Sequence, residues 1–212
     1  LTATLVREDG REREVFALVG PPAYSAPWRE LERQGWIAQV DCVEVRVRPP
    51  NGREATAPRL LAAKLAAARA LLARHPDSPA LLVAHRLQEV AALAHACDAP
   101  VVTGRTPPQE RTRLYDAFRR GEIARLAVSR VANVGVDLPG AALLVQLSGA
   151  FGSRQEEAQR VGRLLRPKED GERAVFYSLV GAGTREQEFA ARRQRFLVDQ
   201  GYRYRVVEAG ER

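Results

Sequence analysis

The sequence predicts an α/β fold, a parallel β-sheet with helices packed on both faces. From about residue 56 onward, short apolar runs alternate with helical patterns, the order that builds β-α-β units. Those runs are apolar throughout rather than every second residue, which suits strands buried on both sides. The 212 residues, 45% apolar and 28% charged, are also enough to bury a real core in one domain or two small ones.

The elements follow in chain order. Residues 1–6 open like a strand and break into the charged run Arg7, Glu8, Asp9, Gly10. A turn containing Pro21, Pro22 and Pro27 precedes a short helix carrying Trp28 and Leu31, and residues 43–48 alternate as a strand before the loop at 49–52. An Ala/Leu-rich helix is expected over 57–74, with Pro58 near its start and His75-Pro76 ending it. A buried strand over 80–84, a helix over 87–97 and a strand over 101–103 come next. Thr106 is expected to cap a helix that has Pro107 at its first position, Leu114 and Phe118 on one face, and Gly121 as its stop. Strands are expected over 125–129 and 141–147, a helix over about 153–165 and a strand over 173–180. A last helix over about 185–199 is closed by Gly201 before the alternating strand 202–207. In an open parallel sheet, ligands sit outside the carboxyl ends of the strands.

Composition removes several classes. The longest uncharged stretch, 138–153, is broken by Pro139, Gly140, Gln146 and Gly149, so no membrane span is expected. The first residues lack a basic segment followed by an apolar run, so no secretory signal is visible. Two cysteines, Cys42 and Cys97, make no disulfide framework and suit a reducing cytoplasm. The three histidines are ten residues apart, and His95 with Cys97 points to two different helix faces, so no metal site is expected. There is no Met, from which a processed form or a piece of something longer is expected. The net charge is +7, and only Lys64 and Lys168 are lysines, so the positive charge is nearly all guanidinium. A GC-rich genome accounts for most of that excess, although Arg also binds phosphate in a bidentate way.

Two segments carry chemistry. In Gln159, Arg160, Val161, Gly162, Arg163, Leu164, Leu165, Arg166, a helical turn of about 100° per residue brings Gln159, Arg163 and Arg166 within about 60° of one another. Val161, Leu164 and Leu165 fall opposite and can anchor the helix, and Gly162 lets a neighbour approach closely. Two guanidiniums and an amide on one face suit a polyanion such as a nucleoside triphosphate, as arginine fingers do at a γ-phosphoryl group. On charge alone, a solvated basic face is the simpler reading. The second segment, 129–139, places Ser129, Gly135 and Asp137 in the loop after a predicted strand. Gly135 could expose backbone to a ligand and Asp137 could accept from a ribose hydroxyl, though a plain turn fits equally well.

Together these segments resemble motifs V and VI of superfamily 2 helicases. Further stretches narrow the resemblance to the XPB family of DNA repair helicases: 1–4, Arg7-Glu8-Asp9, 28–45, Thr103-Gly104, 152–168, 176–180 and 193–202. The chain looks like the C-terminal half of such a protein. The resemblance implies a RecA-like second helicase motor lobe from about residue 38 to 212, with 1–37 left over from the first lobe. It implies that Thr2 and Thr4 end motif III, which couples ATP state to DNA grip. Arg7, Glu8 and Asp9 would be the family's duplex-opening RED motif, and Ser129, Arg130, Thr103 and Gly104 would lie on the DNA. Gly135 and Asp137 would face the nucleotide, which Gln159, Arg163 and Arg166 would reach from across the cleft, with Arg166 as the leading finger.

The sequence contains neither a Gly-Lys nor an Asp-Glu dipeptide. The phosphate-binding loop and the acidic Mg²⁺-holding motif are thus expected in an upstream first lobe, which would hold most of the ATP and Mg²⁺, and the fragment alone is expected to be inactive. Between residues 48 and 80, where some family members carry a thumb-like insertion, there is room for only a loop and one helix. Residues 154–205 hold 12 cations against 8 acids, a surface suited to tracking DNA by salt-dependent phosphate contacts. Expected partners are a DNA junction, the first lobe and a repair nuclease, in a cytoplasmic, nucleoid-associated setting. The alternatives are a non-catalytic DNA- or partner-binding module and the translocating lobe of a restriction-type superfamily 2 motor. A dinucleotide-binding dehydrogenase is excluded because no G-x-G-x-x-G follows a strand.

Overall fold

The computed structural model describes residues 12–20, 26–49, 56–129, 141–149, 153–162, 164 and 173–210. Among them the elements run α1 (Glu12–Val19), α2 (Trp28–Arg33), β1 (Val40–Val47), α3 (Ala57–Ala73), β2 (Ala80–Val83), α4 (Leu87–Cys97) and β3 (Val101–Val102). They continue with α5 (Pro108–Arg119), β4 (Arg125–Val128), β5 (Leu143–Gln146), α6 (Arg154–Val161), β6 (Ala174–Gly181), α7 (Glu186–Asp199) and β7 (Tyr204–Glu208). The strands form one sheet in the order β3-β4-β2-β5-β6-β1-β7, and every pairing is parallel.

The period of two along each strand divides the core in two. Leu81 and Val83 of β2, Leu144 of β5 and Phe176 of β6 face one side, against Leu114 and Phe118 of α5, Ala158 and Val161 of α6 and Leu197 of α7. Their neighbours Leu82, Val145 and Leu179 face the other, against Leu71 and Leu72 of α3 and Val90 and Leu93 of α4. With helices on both faces, the inner strands have no solvent side, which is why their sequences are continuously apolar.

The expected pattern from residue 56 onward is present, with differences that have local causes. Strand β1 begins at Val40, three residues before the alternating run. Asp41 interrupts that run in sequence, but it lies exposed with its carboxylate paired to Arg173 (Oδ1 to Nη2, 2.5 Å). Thr106 does not cap α5. The cap position is Pro107, and the Thr106 hydroxyl instead accepts from the Thr103 amide (2.9 Å), closing a tight turn at 103–106. Helix α6 stops at Val161 instead of running to 165, with Gly162 at its C-cap. A Cβ on Gly162 would meet only its own turn (Ala158 O at 3.2 Å, Gln159 O at 3.4 Å), so no other described element exploits the expected close approach. Helix α1 was not foreseen, and the expected strand 1–6 lies outside the described residues.

Helix α2 joins the same core. Trp28 is 8% exposed and meets Tyr202 edge-on, with ring centroids 6.4 Å apart at 85°. The buried Glu32 carboxylate accepts from the Tyr202 hydroxyl (2.6 Å) and the Val40 amide (3.2 Å). Burial and that neighbouring carboxylate push the Tyr202 phenol far above its ordinary pKa, so it remains a donor.

Candidate functional site

Parallel strands end together, and their carboxyl ends bring together loops that are distant in sequence. Thr103 follows β3 and Ser129 follows β4; they are neighbours because Val102 pairs with Val128 and the Ser129 amide donates to Val102 O (3.1 Å). The turn that begins at Thr103 is pre-formed: the Thr103 hydroxyl accepts from the Arg105 amide (3.2 Å), and Arg111 reaches the carbonyls of Thr103 and Thr106. This leaves Gly104 and Arg105 exposed, whereas Ser129 is buried.

One strand further along, His85 and Arg86 follow β2 and Ser148 follows β5. The Ser148 hydroxyl accepts from the His85 amide (2.9 Å) and donates to Glu89 (2.5 Å). Beside them lies a cavity of about 200 Å³ lined by Lys64, His85, Arg86, Glu89, Ser148, Gly149, Leu179, Glu186, Phe189 and Arg193. Lys64 is 3% exposed and donates to Glu186 (2.5 Å) and to Leu147 O (3.1 Å). Burial lowers the pKa of its ammonium while the Glu186 carboxylate opposes that shift. Sequence reasoning missed Arg86 and Arg105. The signal was present: each is a cation just after a strand, where this architecture binds ligands.

Gln159 is half-buried on α6, with Ala158, Val161 and Leu164 fully buried beneath it, as the helical spacing predicts. Thr2, Thr4, Arg7, Glu8, Asp9, Arg130, Gly135, Asp137, Arg163 and Arg166 lie outside the described residues. The structure corrects the basic surface inferred for 154–205. Arg160 is 2% exposed and Arg193 5%, each bonded to carboxylates or amides inside the molecule, and Arg173 is paired with Asp41. Those three do not face a polyanion. Cys42 and Cys97 are free and buried, and burial raises both thiol pKa values. No described helix is long and apolar enough to cross a membrane.

The sequence model of the ERCC3/RAD25/XPB C-terminal helicase family matches residues 62–212. The chain belongs to that family. It is 52% identical over 222 residues to the DNA 3'-5' helicase XPB of Kineococcus radiotolerans, covering 100% of this chain and 40% of that protein. It is 50% identical to the protein of the same name from Mycobacterium tuberculosis, with the same coverage. With the Saccharomyces cerevisiae general transcription and DNA repair factor IIH helicase/translocase subunit XPB/SSL2 it shares 37% identity, over 98% of this chain and 27% of the relative. The chain thus spans two fifths or less of these relatives. Among solved structures, S. cerevisiae Dbp5 bound to RNA and ADP BeF3 superposes with a TM-score of 0.68 at 19% identity, covering 99% of this chain and 50% of that one. A fragment of a type I restriction enzyme HsdR subunit from Vibrio vulnificus gives 0.68 at 21%, covering 98% and 44%. At such identities these show the fold, a RecA-like helicase lobe.

Proposed function

We propose that this XPB-family helicase domain is the second motor lobe of an ATP-dependent 3′–5′ DNA helicase or translocase acting in DNA repair. One observation carries the proposal: a family-matched RecA-like lobe whose carboxyl edge gathers Thr103, Gly104, Arg105, His85 and Arg86 beside one another. In this reading, residues 38–212 form the lobe and 1–37 derive from the first lobe, which lies upstream. DNA runs along the carboxyl edge, on Thr103, Gly104, Ser129 and Arg130, with Arg86 and Arg105 adding phosphate contacts that fix position rather than sequence. Arg7, Glu8 and Asp9 act at the duplex junction, and Thr2 and Thr4 couple ATP state to grip.

The nucleotide lies between lobes. Gly135 and Asp137 face it, and Gln159, Arg163 and Arg166 close on its phosphates, with Arg166 as the finger that meets charge developing in the transition state. Among the described residues no group of three or more His, Cys, Asp or Glu could hold a metal, so the proposal assigns the Mg²⁺ ligands to the first lobe. The fragment by itself is then inert, and DNA and the first lobe are its partners. The 21% likeness to the restriction subunit concerns the fold, while the 52% relative is an XPB, which is why repair is preferred to restriction.

The test is Arg166→Ala in the full-length protein. DNA-stimulated ATP hydrolysis is expected to fall by about 10³-fold, the scale of an arginine finger, with nucleotide binding nearly intact. Undiminished hydrolysis, or hydrolysis by the fragment alone, refutes the assignment.

A further inference from the structure

Helix α6 is eight residues long and its buried underside, Ala158 and Val161, is small. Small apolar contacts hold a helix close to a sheet but resist sliding and rolling poorly. What the structure adds is a buried polar network. Arg160 donates from Nη1 to Gln146 Oε1 (2.5 Å) on β5 and from Nη2 to Glu156 Oε2 (3.0 Å). Gln146 turns its amide to Glu157 Oε2 (2.8 Å) and to the hydroxyl of Ser178 on β6 (3.5 Å). Glu157, 0% exposed, also accepts from Arg193 Nε on α7 (3.2 Å) and from the Tyr204 hydroxyl on β7 (3.2 Å). Four elements therefore hold one turn of α6 through directional bonds.

A well-packed apolar cluster of similar volume is often as stable as a buried ionic network, so stability alone does not explain this one. Direction does. If α6 rolled or slid by one position, Glu157 and Arg160 would be left buried without partners, so the network admits one placement. Arg160 is bonded inward, and its sequence neighbour Gln159 begins the row proposed to meet ATP.

We propose that Arg160, held by Gln146 and Glu157, is a positioning residue that sets the placement of α6 and through it the geometry of the row Gln159, Arg163 and Arg166 at the nucleotide. This rests on the ATP-facing reading of that row. Arg160 touches no substrate; its effect passes through α6.

The experiment uses the full-length enzyme with Arg160→Met, Arg160→Lys, Arg166→Ala and the double variant Arg160→Met/Arg166→Ala. Lysine keeps the charge but not the fork that spans Gln146 and Glu156, and it serves if the Met variant does not fold. A displacement of about 1 Å at a catalytic row can cost about 10²-fold. Thus kcat is expected to fall about 10- to 100-fold in Arg160→Met and about 10-fold in Arg160→Lys, with KM for ATP within about twofold. In the Arg166→Ala background, Arg160→Met should lower the residual rate by less than about twofold, because its route of action has already been removed.

A folded Arg160 variant with unchanged kcat, a change confined to KM, or losses that simply multiply in the double variant overturns the inference and leaves the proposed function standing. Full hydrolysis by Arg166→Ala instead removes the proposed function and the inference with it.

Discussion

Trp28 lies ten residues before the proposed start of the second lobe, yet its ring is in that lobe's core. Replacing it with Ala removes a side chain that is 8% exposed and has an edge-on contact with Tyr202. A buried aromatic covers about 150–250 Å², and Trp→Ala in a core costs about 3–5 kcal/mol, part of it from the aromatic pair. The residual exposure, and a place at the end of α7 where the surroundings can close in, put the expected loss near the bottom of that range, about 3 kcal/mol. For a chain of this size that is a fall in Tm of about 6–12 °C. The control is Trp36→Ala, since Trp36 is 71% exposed and should shift stability by no more than about 0.5 kcal/mol. Thermal and urea melts of the purified chain read both. These two are the chain's only tryptophans, so Trp36→Phe should leave a blue-shifted, poorly quenched emission and Trp28→Phe a red-shifted, quencher-accessible one. If the two Ala variants melt alike, or both tryptophans quench alike, α2 is not part of the core and the packing argument fails.

Other expectations follow from single contacts. Gly149→Ala would place a Cβ 2.5 Å from the Arg193 guanidinium carbon, which the buried Glu157 holds in place, and should lower stability by about 1–3 kcal/mol in a urea titration. Lys64→Met strands Leu147 O and one bond of Glu186, which water still reaches, so the loss should be about 1–2 kcal/mol; a stability gain would contradict the pairing. His75, bonded through Nε2 to the Tyr177 hydroxyl (3.0 Å), has its pKa lowered below 6.5 by burial and then by Arg74. Its contribution is therefore complete above pH 6.5 and lost as pH falls through the lower folded value, so His75→Gln should flatten the stability decline between about pH 7 and 5. An equally steep decline in that variant assigns it elsewhere.

The sheet and its covering helices were legible from the second strand onward because local patterns and the global fold agree there. The helix 87–97 matches α4 residue for residue: its apolar spacing fixes the face, and Asp98 in the left-handed conformation ends it. Around Thr106 the local rule failed for a physical reason. Thr is a good cap, but here its hydroxyl bonds backward to Thr103, and α5 begins on Pro107, which needs no amide partner. Strand β1 was read short because Asp41 breaks the apolar run, and only Arg173, 132 residues away, shows why a carboxylate is tolerated there.

The basic helix shows where sequence reading of the site must stop. Helical spacing separates Gln159, Arg163 and Arg166 from the apolar side, because the angle between residues is a local property of the backbone. It says nothing of Arg160, which at 100° from Gln159 falls on the flank and would ordinarily be placed in solvent, since arginine is rarely buried unless paired. Its partner Gln146 sits 14 residues earlier on another element, and Glu157, which joins the same network, is bound by Arg193 and Tyr204, 36 and 47 residues later. Only the fold brings these together. Counting charge along the segment therefore overstates the cationic surface by the arginines the core takes in, and identical residue types at adjacent positions acquire opposite tasks. Gln159 and the arginines that share its face are proposed to meet phosphate, while Arg160 holds the helix that carries them.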